Sequence, residues 1–167
     1  VHDEKAWYCM AGVSGHAGLF TDSRDLAVLL RLGLGQGRLE GEQYIDPEVW
    51  RLFASPQGET PPRAESSTAS SSSRSSDVRS SSAQSSHALG WRVAPSAGDP
   101  YPPFGSSPTP GSIGHTGWTG TLTLVDRDRD LALGLMTGAR HRLGTDVGRA
   151  NPVDYARIVD LVYRAAS

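Results

Sequence analysis

Apolar and polar positions alternate most regularly between Thr121 and Thr137. Leu122 and Leu124 fall on one side, and Thr121, Thr123 and Val125 on the other, which is the two-residue period of an extended strand. The charged stretch Asp126-Arg127-Asp128-Arg129-Asp130 interrupts the run, and Leu131, Leu133 and Leu135 resume it on one face. Two alternating runs joined by a short polar turn predict an antiparallel hairpin. Just upstream, Gly111, Gly114, Gly117 and Gly120 bracket His115 and Thr116. Glycine weakens a strand but lets another backbone or a ligand come close. The polar pair is therefore a candidate place, on a strand edge, for a substrate to lie.

Elsewhere the period is helical. Asp22 can cap a helix, with Asp25 at its third position, Leu26, Leu29 and Leu30 on one face, and Gly33, Gly35 and Gly37 ending it. Asp46-Pro47 starts a short second helix whose apolar side is Val49, Leu52 and Phe53. Leu89 to Val93 reads as a strand, and the Pro- and Gly-rich residues 95–110 as a loop placed to overhang the site. Residues 1–20 and 138–150 also read as loop. Asn151-Pro152 opens a last helix with Asp154 at the third position; Tyr155, Ile158, Val159 and Val162 repeat on a face suited to lie across a sheet.

Composition divides this pattern in the middle. Residues 66–86 hold 13 serines in 21 positions and only Val78 as a sizeable aliphatic, too little apolar surface to offset chain entropy. Disorder is expected from about residue 55 to 86, read as a surface-loop insertion because loops lengthen cheaply. The expected division is residues 1–54 as loop and helices of a helical subdomain, 55–88 as the serine-rich insert, and 89–167 as strands and the terminal helix. A net charge of −2, with a single lysine, gives no electrostatic case for nucleic acid or an anionic membrane. No apolar run has the length of a transmembrane helix. The one cysteine, Cys9, allows no internal disulfide and leaves the compartment open. The chain opens on Val1 without a signal-like segment, and we expect it to be a fragment.

His115-Thr116-Gly117 resembles the His-Thr-Gly variant of the Lys-Thr-Gly motif in serine β-lactamases and penicillin-binding proteins. The likeness is closest to the class C-like branch, with its esterases, D-aminopeptidases and D-alanyl carboxypeptidases. Four further stretches agree in order and spacing: Val1 to Ala6, Gly12 to Phe20 with Asp25-Leu26-Ala27, Ile45-Asp46-Pro47, and Leu89-Gly90-Trp91. The resemblance implies an α+β fold, an antiparallel sheet with packed helices. It also implies acyl transfer to a serine from a small ester or amide or a D-amino-acid peptide, with no cofactor and no metal. His115, Thr116 and Gly117 would then line the substrate, and the backbone N–H of Trp118 would face the developing oxyanion. His16 becomes a candidate pocket wall.

The family's other two motifs are absent from these residues. The only lysine is Lys5, and His2 stands three before it, so there is no Ser-x-x-Lys. The only asparagine is Asn151, with Arg149 two before it, so there is no Tyr-x-Asn or Ser-x-Asn. No catalytic nucleophile is assigned in the chain, and it is expected to be inactive alone. Histidine in place of the motif's lysine is mostly neutral near pH 7, which tilts the expected substrate toward neutral esters or amides. The competing reading of His115 is a hydrogen-bonded structural residue. His2-Asp3-Glu4 lacks companion ligands at metal spacing. Asp126-x-Asp128-x-Asp130 opens like a calcium loop but has Leu131 at the sixth position and Thr137 at the twelfth, and reads as a solvated turn. Gly12-Val13-Ser14-Gly15-His16 lacks the last glycine of a nucleophile elbow. Two alternatives accompany the hydrolase reading: a non-catalytic ligand- or partner-binding module, and a truncated product without a stable fold.

Deleting residues 66–86 is expected to leave the thermal midpoint within a few degrees of the intact chain. About 1 kcal/mol moves the midpoint of a domain this size by about 2–4 °C or slightly more, so calorimetry of the two proteins would expose a packed tract as a larger fall.

Overall fold

A computed structural model describes residues 4–13, 20–57, 87–95, 104–138 and 153–167. Its centre is a four-stranded antiparallel sheet in the order β3 (Arg92–Val93), β4 (Ile113–Thr116), β5 (Leu122–Asp126) and β6 (Leu131–Leu135). The expected hairpin is β5 and β6, in the register Leu122↔Leu135, Leu124↔Leu133 and Asp126↔Leu131. Because side chains alternate across a strand, the sheet has two apolar faces. One buries Leu122 and Leu124, with Leu131, Leu133 and Leu135 packed alongside, under Tyr155, Val159 and Tyr163 of α4 (Tyr155–Ala166). The other buries Val93, Ile113 and Val125 against Leu30 of α2 (Ser23–Leu34), with Trp50 and Ala54 of α3 (Pro47–Ala54) beside them. This is the expected α+β arrangement of helices on an antiparallel sheet.

Both early helices start where the caps predict. The Asp22 carboxylate accepts from the backbone N–H groups of Arg24 and Asp25, and that of Asp46 from Glu48 and Val49, satisfying donors that a helix start leaves open. Their packed faces differ from expectation. On α2 the sheet side is Leu26, Leu30, Gly33 and Leu34, while Leu29 is exposed. Gly33 lies inside the helix rather than ending it. A Cβ there would stand 3.2 Å from Val125 Cγ2 and 3.6 Å from Trp50 Cη2, so the missing side chain lets α2 settle on the sheet with the indole against it. Trp50 and Ala54 therefore carry the contact of α3, and Val49, Leu52 and Phe53 are left exposed.

Other differences have equally local causes. Glu4–Cys9 form a helix, α1, within the stretch read as loop; the glycines of that stretch begin only at Gly12, where Ala11 and Gly12 take positive φ and stop it. A small hairpin joins β1 (Arg38–Leu39) to β2 (Glu42–Gln43) through Glu40 and Gly41, both at positive φ, a turn that two-residue strands cannot announce by alternation. The strand expected over 89–93 is only Arg92–Val93, because Ala88 N–H donates to Trp91 C=O (2.8 Å) across a turn that holds Gly90 at φ 84°. The last helix begins at Tyr155, with Asp154 itself as N-cap accepting from Arg157 N–H. Asn151-Pro152, residues 139–150 of the polar loop and the serine-rich insert up to residue 86 lie outside the described residues.

The largest correction concerns Asp126. The solvated-turn reading fits residues 127–130, but Asp126 is fully buried at the end of β5. Its oxygens accept from Thr109 N–H (2.9 Å), Thr109 O–H (2.6 Å), Arg129 N–H (3.2 Å) and the Tyr163 hydroxyl (2.6 Å). Burial alone would raise its pKa; the Thr109, Tyr163 and Arg129 donors outweigh it and hold the carboxyl below the ordinary value of 3.8. The same burial, with the carboxylate alongside, pushes the Tyr163 hydroxyl far up. The described part of the loop read as overhanging the site is pinned here as well. Asp160 of α4 accepts from Ser106 N–H, Ser107 N–H and Ser107 O–H, and Phe104 is fully buried between helix and sheet.

Tyr163→Phe, which removes one donor to a charged acceptor, is expected to cost roughly 1.5–3 kcal/mol, and Asp126→Ala, which orphans several donors, roughly 3 kcal/mol or more, by urea unfolding. A depressed carboxylate contributes stability that is complete above its unfolded value and lost as pH falls through its folded value. Between pH 3.8 and the lower folded value, wild type should therefore lose stability that Asp126→Asn never had.

Candidate active site

β4 pairs with β3 only at Ile113 and Gly114, while on its other side it pairs with β5 over its whole length, His115 opposite Thr123 and Thr116 opposite Leu122. β3 is thus the outer strand, and the turn at Gly90 carries the chain away before it reaches His115. Among the described residues no strand pairs with His115 or Thr116 on that side. Among the described residues this side of β4 is an unpaired edge, made by the shortness of β3.

Alternation places His115 on the α2 face, in one row with Thr123 and Gly134, and Thr116 on the α4 face. The imidazole is exposed, and its Nδ1 lies 2.7 Å from the carbonyl oxygen of Thr116. The Thr123 hydroxyl donates to the His115 carbonyl at 3.4 Å. Thr123 is a neighbour of the motif that residue spacing does not indicate and the hairpin register reveals.

Gly117 to Gly120 close the turn between β4 and β5. Gly117 N–H donates to Thr121 C=O (2.8 Å), Gly120 N–H donates to Gly117 C=O (3.2 Å), and Gly120 takes φ 102°. Trp118 stands in that turn, 74% exposed. Two of the glycines that bracket the motif, Gly114 and Gly117, serve packing here. A Cβ on Gly117 would fall on the Thr121 hydroxyl, and one on Gly114 would meet the backbone of Thr123 and, at 2.8 Å, the ring of Phe104. The close approach that glycine permits on this strand is made by the protein itself.

His115, Thr116, Gly117 and Trp118 therefore form one continuous ridge at the end of the sheet. His16, His2, Asp3 and Ser14 lie outside the described residues. Among the described residues no three His, Cys, Asp or Glu side chains gather to hold a metal, and no helix is long and apolar enough to cross a membrane. An open, largely apolar hollow of about 280 Å³ lies between α2 and β6, with Ser23, Leu26, Leu30, Arg31, Leu34, Ala132 and Gly134 among its lining residues. It is two strands from His115 along the row, roughly 10 Å, and is separate from the ridge.

Residues 2–156 fit the family described as Beta-lactamase, and the chain belongs to that family. It is 36% identical over 141 residues to the N-acetylmuramyl-L-alanine amidase of Bacillus subtilis strain 168, covering 84% of this chain and 26% of that protein. It is 35% identical over 175 aligned positions to proteins of Salmonella paratyphi B and Salmonella newport, each provisionally named a D-alanyl-D-alanine carboxypeptidase, covering 98% of this chain and 34% of theirs. The chain thus spans about a third or less of the length of these relatives.

Gly117→Ala is expected to destabilise by roughly 1–3 kcal/mol, because the new methyl overlaps the Thr121 hydroxyl. Thr121→Ala in the same chain should return a large part of that loss, and a double-mutant cycle by denaturant unfolding measures the coupling.

Proposed function

We propose that this chain supplies the substrate-binding strand of a β-lactamase-family serine hydrolase acting on small esters or amides or D-amino-acid peptides. The observation that carries the reading is the ridge His115–Trp118, which presents a His-Thr-Gly motif on a sheet edge that the short β3 leaves open among the described residues. In this reading the substrate lies along His115, Thr116 and Gly117. Trp118 N–H, next after Thr-Gly, is then the donor proposed for the oxyanion. The serine oxygen that attacks the acyl carbonyl, and the group that takes its proton, come from polypeptide other than these 167 residues, which hold neither Ser-x-x-Lys nor Tyr-x-Asn. The chain alone then positions an acyl group without cleaving it. The names of the relatives support peptide-type substrates, and no cofactor is needed for the chemistry.

The test compares the isolated chain with the chain joined to a segment bearing Ser-x-x-Lys and Tyr-x-Asn, on p-nitrophenyl esters, nitrocefin and D-alanine amides. The isolated chain should turn over at the buffer rate and the joined protein well above it. In the joined protein His115→Ala should lower kcat/KM by about tenfold, the worth of one substrate hydrogen bond, with the unfolding midpoint unchanged. Turnover by the isolated chain that survives repurification and disappears in Ser14→Ala would overturn the reading. So would a His115→Ala protein with unchanged kinetics and a lowered midpoint, which would make the histidine structural.

A further inference from the structure

The imidazole of His115 makes one contact that fixes its chemistry. Nδ1 lies 2.7 Å from the carbonyl oxygen of Thr116. A carbonyl oxygen only accepts, so the proton of that bond sits on Nδ1. No carboxylate forms an ion pair with the ring among the described residues, where the ion pair found is Arg31 with Glu40. In the neutral ring with its proton on Nδ1, Nε2 carries a lone pair. The ring is exposed on the α2 face, and Nε2 has no partner among the described residues. The Thr123 hydroxyl does not compete for it, because that hydroxyl donates to the His115 carbonyl.

We propose that His115 is a specificity-determining residue whose Nε2 accepts a hydrogen bond from the substrate. The site then selects esters and amides that carry an N–H or O–H donor beside the scissile acyl group. A lysine at this position would donate and attract a carboxylate; the Nδ1-protonated histidine repels a carboxylate lone pair and pairs with a donor. Thr116 acts through this device as the positioning residue, since its carbonyl sets the tautomer. The role is independent of proton transfer and needs no change in charge during turnover. This inference rests on the reading of His115–Trp118 as the substrate ridge.

Two measurements separate the two ideas. Nitrogen-15 NMR of the 167-residue chain at about pH 8 should give His115 a pyrrole-type signal at Nδ1 and a pyridine-type signal at Nε2. In the joined protein, kcat/KM should be about tenfold higher for an amide-bearing ester than for its N-methylated analogue. That ratio should fall to one in His115→Ala, and His115→Lys should favour a carboxylate-bearing ester instead. A pyridine-type signal at Nδ1 overturns the tautomer. If a His115-dependent preference nonetheless remains, the substrate ridge stands and only this inference falls. The expected tautomer with no preference in any variant overturns both, because the ring then faces no substrate.

Discussion

The buried carboxylate of Asp126 takes hydrogen bonds from three separate stretches of chain. They are Thr109 in the segment that leads into β4, Arg129 in the turn after β5, and Tyr163 near the end of α4. A carboxylate stripped of water is costly unless each lone pair finds a donor, and these four bonds meet that demand while excluding other arrangements of the three stretches. One turn earlier on α4, Asp160 binds the backbone of Ser106 and Ser107. Gly105 makes this contact possible, since a Cβ there would stand 2.9 Å from the Ala156 carbonyl and 2.7 Å from the Asp160 carboxylate. Phe104, at the head of the same segment, lies against Gly114 of β4. The strand that presents His115 is thus positioned by contacts made behind it and at its far end, none of which uses the exposed edge.

That separation matters for function. The stabilising groups lie on the α4 face, while His115 stands on the α2 face beyond the reach of β3. The His115 ring is exposed, so in the proposed reading its identity is free to follow a ligand rather than the core. The exception is Gly117, which the Thr121 hydroxyl leaves no room to replace. Thr116, with its side chain on the α4 face and its carbonyl on the His115 ring, links the two faces.

Much of this could be read from the residues. Strong alternation gave β5 and β6, aspartate caps gave the starts of α2 and α3, and His-Thr-Gly gave both the family and the ridge. What sequence hid was set by long-range packing. Asp126 looked solvated because its neighbours in the chain are charged; two of its three partner residues, Thr109 and Tyr163, lie 17 and 37 residues away. Leu29, Leu52 and Phe53 looked like core because they are apolar, yet the sheet touches the face defined by Gly33 and Trp50. The tautomer of His115 depends on a ring-to-carbonyl distance, and no spacing rule encodes it.

The central claim, that this ridge binds the acyl group of a substrate, is tested most directly by a crystal structure. The joined protein would be trapped as its acyl-serine with a slowly released ester. The acyl group is expected along β4, with a donor of its side chain within hydrogen-bond distance of His115 Nε2 and its carbonyl oxygen against the Trp118 N–H. An ordered acyl group that extends away from the sheet edge and touches none of His115, Thr116, Gly117 and Trp118 would contradict it.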